Sequence, residues 1–134
     1  MGKFAVKEEI VNKPAKLTDA EFEEMKKHTI YGAQITSGAK KFRNRRPMKY
    51  AYEICCWHHE RYNGKGYPDG LKGEEIPISA QVTGVGGALV SERVYKKVVP
   101  HEHAIKKILR GECGAFNPVL LECLSPISYD LKKI

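Results

Sequence analysis

His58-His59-Glu60-Arg61-Tyr62-Asn63-Gly64-Lys65-Gly66-Tyr67-Pro68-Asp69-Gly70-Leu71 is the stretch on which the reading of this chain turns. Between Asn63 and Gly70 it packs three glycines and one proline into eight residues, a composition for a structured turn and not for a helix. Immediately upstream, Ala51, Ile54, Cys55 and His58 share one side of a helical period, with Tyr50 and Trp57 flanking it. That spacing predicts a helix from about Pro47 to His59. Two histidines therefore stand at a helix end against a glycine-rich loop. Neutral imidazoles ligate divalent iron, manganese or zinc, and glycines let backbone approach a ligand closely. Successive helical residues point ~100° apart. His58 and His59 are thus expected to serve different metals, or different sides of one cluster, and to be poorly placed for sharing one ion with a third histidine.

Working outward, Leu17-Thr18-Asp19-Ala20-Glu21 opens another helix, with Thr18 as N-cap and Glu21 completing a capping box. Phe22, Met25, His28, Gly32 and Ile35 follow at spacings of three or four and predict one buried stripe, which turns His28 inward. Before it, Ile10-Val11-Asn12-Lys13-Pro14 reads as a loop ending in a breaker. On the other side, Pro77 starts a short helix from Ile78 to about Val82, expected to weaken at Gly84, Gly86 and Gly87. Pro100 introduces a helix from His101 to Arg110, closed by Gly111. Asn117-Pro118 opens a last helix through Val119, Leu120 and Leu124. No convincing period-two strand occurs, so the fold class is all-α, without a linker between domains.

The 134 residues make one domain at most, with the 42% apolar and 29% charged composition of an ordinary globular protein. No run of ~18 apolar residues suggests a membrane span, and the start lacks the pattern of a signal peptide. The cytoplasm is the default compartment. Cys55, Cys56, Cys113 and Cys123 lack C-x-x-C spacing and read as reduced thiols packed in helices, not a zinc site. The net charge is +7, with a basic run Lys40-Lys41-Phe42-Arg43-Asn44-Arg45-Arg46 that reads as a solvated loop. No DNA or RNA binding is expected, whereas a phosphate-bearing small substrate suits the positive balance.

The segment H-H-E-R-Y-N-G-K-G-Y-P-D-G-L-K-G-E-E-I-P resembles the signature of the HD-GYP family, the metal-dependent cyclic di-GMP phosphodiesterases of the HD superfamily. Other stretches match in order: Ile10 to Thr18, Met25-Lys26-Lys27-His28-Thr29, Ser91-Glu92-Arg93-Val94-Tyr95-Lys96, and Gly114-Ala115-Phe116-Asn117-Pro118. The resemblance implies an HD-domain-like helical bundle with a loop named for Gly66, Tyr67 and Pro68. It implies His28, His58 and His59 as ligands of divalent iron, manganese or zinc, and Arg93 and Lys96 as residues contacting the substrate phosphates. It also implies Lys3 as a lysine near the catalytic centre, and cyclic di-GMP or a related nucleotide as the ligand, with other signalling domains as partners.

The departures from the family carry an expectation of their own. The family's His-Asp dyad falls immediately before Gly2, where this chain has Met1. The aspartate expected after Val85 is replaced, in Val85-Gly86-Gly87-Ala88-Leu89, by glycine with about three residues missing. A catalytic metal normally keeps about three protein ligands and one open position, and histidines alone bring no negative charge. Residues 1–134 therefore read as the C-terminal part of an HD-GYP domain, lacking its first helices and inactive alone. Three outcomes fit: a nucleotide-binding or interaction module, a gene remnant, or the truncated portion of an active enzyme hydrolysing cyclic di-GMP to pGpG or GMP. Loss of the earlier helices would also expose apolar surface and favour a homo-oligomer.

Overall fold

The computed structural model describes residues 2–39, 45–94 and 101–130. Among these described residues six α-helices follow in order: α1 (Glu8–Val11), α2 (Asp19–Gly38), α3 (Arg46–Trp57), α4 (Ile78–Val94), α5 (His101–Leu109) and α6 (Pro118–Asp130). Single 3₁₀ turns occur at Lys3–Ala5 and Gly73–Glu75. The described residues form no strand, and an isolated bridge between Asn63 and Lys72 is the nearest approach to one. The fold is all-α. None of the described helices is long and apolar enough to cross a membrane.

Each long helix packs on its neighbour in the chain, α2 on α3, α3 on α4, α4 on α5 and α5 on α6. The core lies toward the last three, where Val85, Ile105, Ile108, Phe116 and Leu124 are buried together. Burying each such side chain stabilises the fold by about 1.5–3 kcal/mol, which is how short elements with weak individual propensity are held. The sequence cues at the helix ends operate as expected. Thr18 Oγ1 accepts from the Glu21 N–H at 3.3 Å and Glu21 Oε2 accepts from the Thr18 N–H at 2.7 Å. Asn117 Oδ1 accepts from the Val119 N–H at 2.9 Å, capping α6, and Gly111 closes α5 at φ +74°.

Four expectations change. The buried face of α2 is His28, Thr29, Gly32, Ala33 and Thr36, while Phe22 and Ile35 are 45% and 54% exposed. The contact with α3 selects the small residues, because only they admit a close partner helix. The segment before Pro14 contains the single turn α1. α4 does not stop near Val82 but runs on to Val94. Its glycines are tolerated because tertiary packing overrides propensity, and Gly84 is functional in that packing: a Cβ there would stand 3.0 Å from the His58 carbonyl oxygen. Cys113 lies in the turn after α5, not in a helix. Residues 40–44 of the basic run lie outside the described residues.

Candidate metal centre

The site is built at the α2–α3 contact. A Cβ added to Gly32 would lie 3.1 Å from the Cβ of Cys55, so glycine is what lets the two helices meet this closely. His28 stands one turn before Gly32 on α2, and His58 one turn after Cys55 at the end of α3, so the same approach brings the two imidazoles together. Their rings are 5.4 Å apart between centroids. The α-helix ends at Trp57, so His59 is no longer bound to point ~100° from His58 as it would within a helix. Instead its ring lies 4.1 Å from that of His58 and 5.0 Å from that of His28. The expected divergence of the adjacent pair does not occur. One ligand atom from each of His28, His58 and His59 lies within 4.8 Å of the others.

Hydrogen bonding settles which nitrogens face inward. His28 Nδ1 lies 2.6 Å from the Met25 carbonyl oxygen and His58 Nδ1 lies 2.7 Å from that of Ile54. A carbonyl only accepts, so each Nδ1 carries the proton and each Nε2 presents a lone pair. Those two Nε2 atoms are 3.5 Å apart. Facing lone pairs repel unless a cation lies between them. Two imidazoles on one tetrahedral ion, with metal–nitrogen bonds of about 2.0–2.1 Å, place their nitrogens about 3.4 Å apart. His28 and His58 are spaced to share one divalent cation, and the backbone carbonyls supply the orienting hydrogen bonds usual behind ligating histidines.

Electrostatics keeps the histidines in the ligand form. Burial, then Lys3, lowers the basicity of His28. Burial, then His28, lowers that of His58. His59 is pushed down to about 2 by burial, then by His58, His28, Arg61 and Lys3. All three are neutral near pH 7.

The loop packs on this cluster. Tyr67 stacks on His59 with centroids 4.7 Å apart and planes 22° apart, and burial raises its hydroxyl to about 12. Pro68 follows through a cis peptide bond. Gly66 lies against the backbone of Glu60 and Arg61, where any side chain would collide. Two contacts unforeseen from sequence hold the loop. Glu60, 5% exposed, accepts at Oε1 from the N–H groups of Asp69 (2.8 Å) and Gly70 (3.0 Å). Trp57 Nε1 donates to Asp69 Oδ2 at 2.7 Å. The available signal was a carboxylate directly after two candidate ligands, a position that is hard to bury without donors.

Of the other expected site residues, Lys3 lines a cavity of about 230 Å³ with His28, Gly32, Ile54, Cys55, His58 and Thr83. It also lines a second, of about 410 Å³, with His58, His59, Arg61 and Gly87 among others. Gly87, where an aspartate was expected, therefore faces the site, and Glu112 is the one carboxylate among the described residues lining that second cavity. Arg93 falls near the end of α4, but its side chain, like all of Lys96, lies outside the described residues.

A family model described as HD domain matches residues 1–117. The chain is 37% identical over 127 residues to a probable cyclic di-GMP phosphodiesterase of Vibrio cholerae, covering 91% of this chain and 29% of that protein. It is 37% identical over 127 residues to the 3′3′-cGAMP-specific phosphodiesterase 2 of the same organism, covering 92% and 24% respectively. To a cyclic di-GMP phosphodiesterase of Thermotoga maritima it is 36% identical over 137 residues, covering 100% and 36%. The chain thus spans roughly a quarter to a third of the length of these curated relatives.

Proposed function

The chain belongs to the HD domain family, in its HD-GYP branch, and from that premise we propose that its three histidines hold one divalent cation in a site that binds cyclic di-GMP or a related 3′3′ cyclic dinucleotide without turning it over. The observation that carries this reading is the pair of Nε2 lone pairs 3.5 Å apart, with His59 beside them. A divalent cation there supplies Lewis acidity toward a phosphate oxygen and toward water. His28 and His58 hold their tautomers through Met25 and Ile54, and Tyr67 covers one face of His59. Lys3 brings positive charge to the same cavity, and Arg93 and Lys96 are assigned to the phosphates on the family resemblance.

Absence of turnover is supported by Gly87. The position that should bring an anionic oxygen to the site has no side chain, and the ligand set is neutral, so a second dication has little to hold it. The alternative is hydrolysis of cyclic di-GMP to pGpG or GMP, favoured by the ligand spacing, which suits a working metal as well as an idle one. Elemental analysis of protein purified with manganese or iron, together with chromatographic assay of cyclic di-GMP, separates the two. The expected result is one ion per chain, lost in His59→Ala, with nucleotide bound and not consumed. Turnover that disappears in His59→Ala would establish the alternative, and metal-free protein would overturn both.

A further inference from the structure

Arg61 has no role in the ligand set, yet its position is unusual for a residue holding loops together. It lines the cavity of about 410 Å³ that also contains Lys3, His58 and His59, and it is half-buried. Its guanidinium carbon lies 5.1 Å from the centre of the Phe116 ring. The backbone at Gly114 presses so closely on its Nε and Cδ that any side chain there would collide. The guanidinium is therefore fixed by an aromatic face on one side and a glycine on the other. Of its five N–H donors, Nη1 donates to the Glu60 carbonyl oxygen at 3.0 Å. Among the described residues no carboxylate forms an ion pair with it. Glu60, its neighbour in sequence, favours the cation only through space and directs Oε1 to the loop N–H groups.

A half-buried cation with no carboxylate bonded to it is costly, and a purely structural arginine in such a place is normally paired directly. Here the surrounding charge makes pairing more necessary: Lys3 adds a second positive charge, and Glu112 is the one carboxylate among the described lining residues. A bound divalent ion would raise the positive excess further. An anion completes the balance, and the guanidinium fork matches two oxygens of a phosphate. We infer that Arg61 is an anion-binding residue of the metal site, taking a phosphate group of the substrate beside His59. The assignment of that phosphate to a cyclic dinucleotide rests on the function proposed above; the anion site itself does not.

The test is a ³¹P NMR titration of the metal-loaded 134-residue protein with inorganic phosphate, for wild type, Arg61→Met and Arg61→Lys. Metal content and the melting transition are measured on each. Wild type is expected to bind phosphate saturably. Arg61→Met should bind about tenfold more weakly or worse, as loss of charge-assisted hydrogen bonds implies, and Arg61→Lys should recover part of the affinity by restoring charge without the fork. Metal content should not change. Phosphate affinity in Arg61→Met within about twofold of wild type, no saturable binding by wild type, or loss of the fold in both variants would each overturn the inference. Calorimetry with cyclic di-GMP is scored separately. If phosphate binding depends on Arg61 but the dinucleotide is ignored, the proposed ligand fails and Arg61 stands; if the dinucleotide binds Arg61→Met as it does wild type, Arg61 falls and the ligand stands.

Discussion

One carboxylate oxygen of Glu60 accepts from two successive backbone N–H groups across the loop, while its Oε2 is buried with no hydrogen-bond partner among the described residues. The first half of that arrangement ties down the loop that carries Tyr67 onto His59; the second leaves one buried oxygen without a donor, a cost accepted where geometry matters more than stability. Removing the side chain in Glu60→Ala orphans both N–H groups and is expected to destabilise the protein by about 3 kcal/mol, at hydrogen-bond values for charged acceptors. Trp57 is the sole tryptophan and is tied to Asp69 in the same loop, so its fluorescence reports the loop directly. Emission from Glu60→Ala should shift toward that of a solvent-exposed indole. Unchanged emission and unchanged urea denaturation would show that the loop holds itself without Glu60.

At the scale of elements, α2 shows how a local signal and a tertiary contact divide the work. Its start is local: Thr18 and Glu21 exchange hydrogen bonds, and Lys13 pairs with Glu21 at 2.6 Å. Thr18→Ala is expected to cost about 1 kcal/mol, measurable by urea denaturation. The Lys13 hydrogen bond, followed by that of the Thr18 backbone, lowers the Glu21 carboxyl from 4.5 to about 2. A depressed carboxyl stabilises the fold fully above its unfolded value and loses that contribution as pH falls from 4.5 toward about 2. Glu21→Gln should therefore flatten this part of the acid denaturation curve; a curve superimposable on wild type would contradict the assignment. The middle of α2 is another matter, since Gly32 takes its meaning only from Cys55 on α3.

For the whole molecule, the histidine cluster and the main core lie at different ends of the helix series. The histidines belong to the α2–α3 contact, whereas Ile108, 0% exposed, centres the cluster of α4, α5 and α6. Gly84 on α4 connects the two by its approach to the His58 carbonyl. Ile108→Ala is expected to destabilise the protein by about 2–5 kcal/mol through lost transfer energy and the cavity left behind. Because no ligand touches that core, protein that remains folded should keep its metal. Melting followed by circular dichroism, with elemental analysis below the transition, checks both parts; loss of metal from folded Ile108→Ala protein would show that the two regions are coupled.

Local chemistry carried much of this protein in the sequence: the caps at Thr18 and Asn117, the stop at Gly111, the turn composition of Asn63 to Gly70, and two histidines beside it. These are legible because each depends on residues a few positions apart. The HD-GYP resemblance added which histidines to group. What tertiary structure alone decided was the convergence of that group and the surface around it. The lone-pair geometry of His28 and His58, the return of His59 after the helix ends, the continuation of α4 through its glycines, and the seating of Arg61 between Phe116 and Gly114 all depend on segments distant in sequence meeting in space. A hydrophobic period states that a face is buried, but the smallness of the partner at Gly32 sets how closely, and that distance gathers three imidazoles into one cluster.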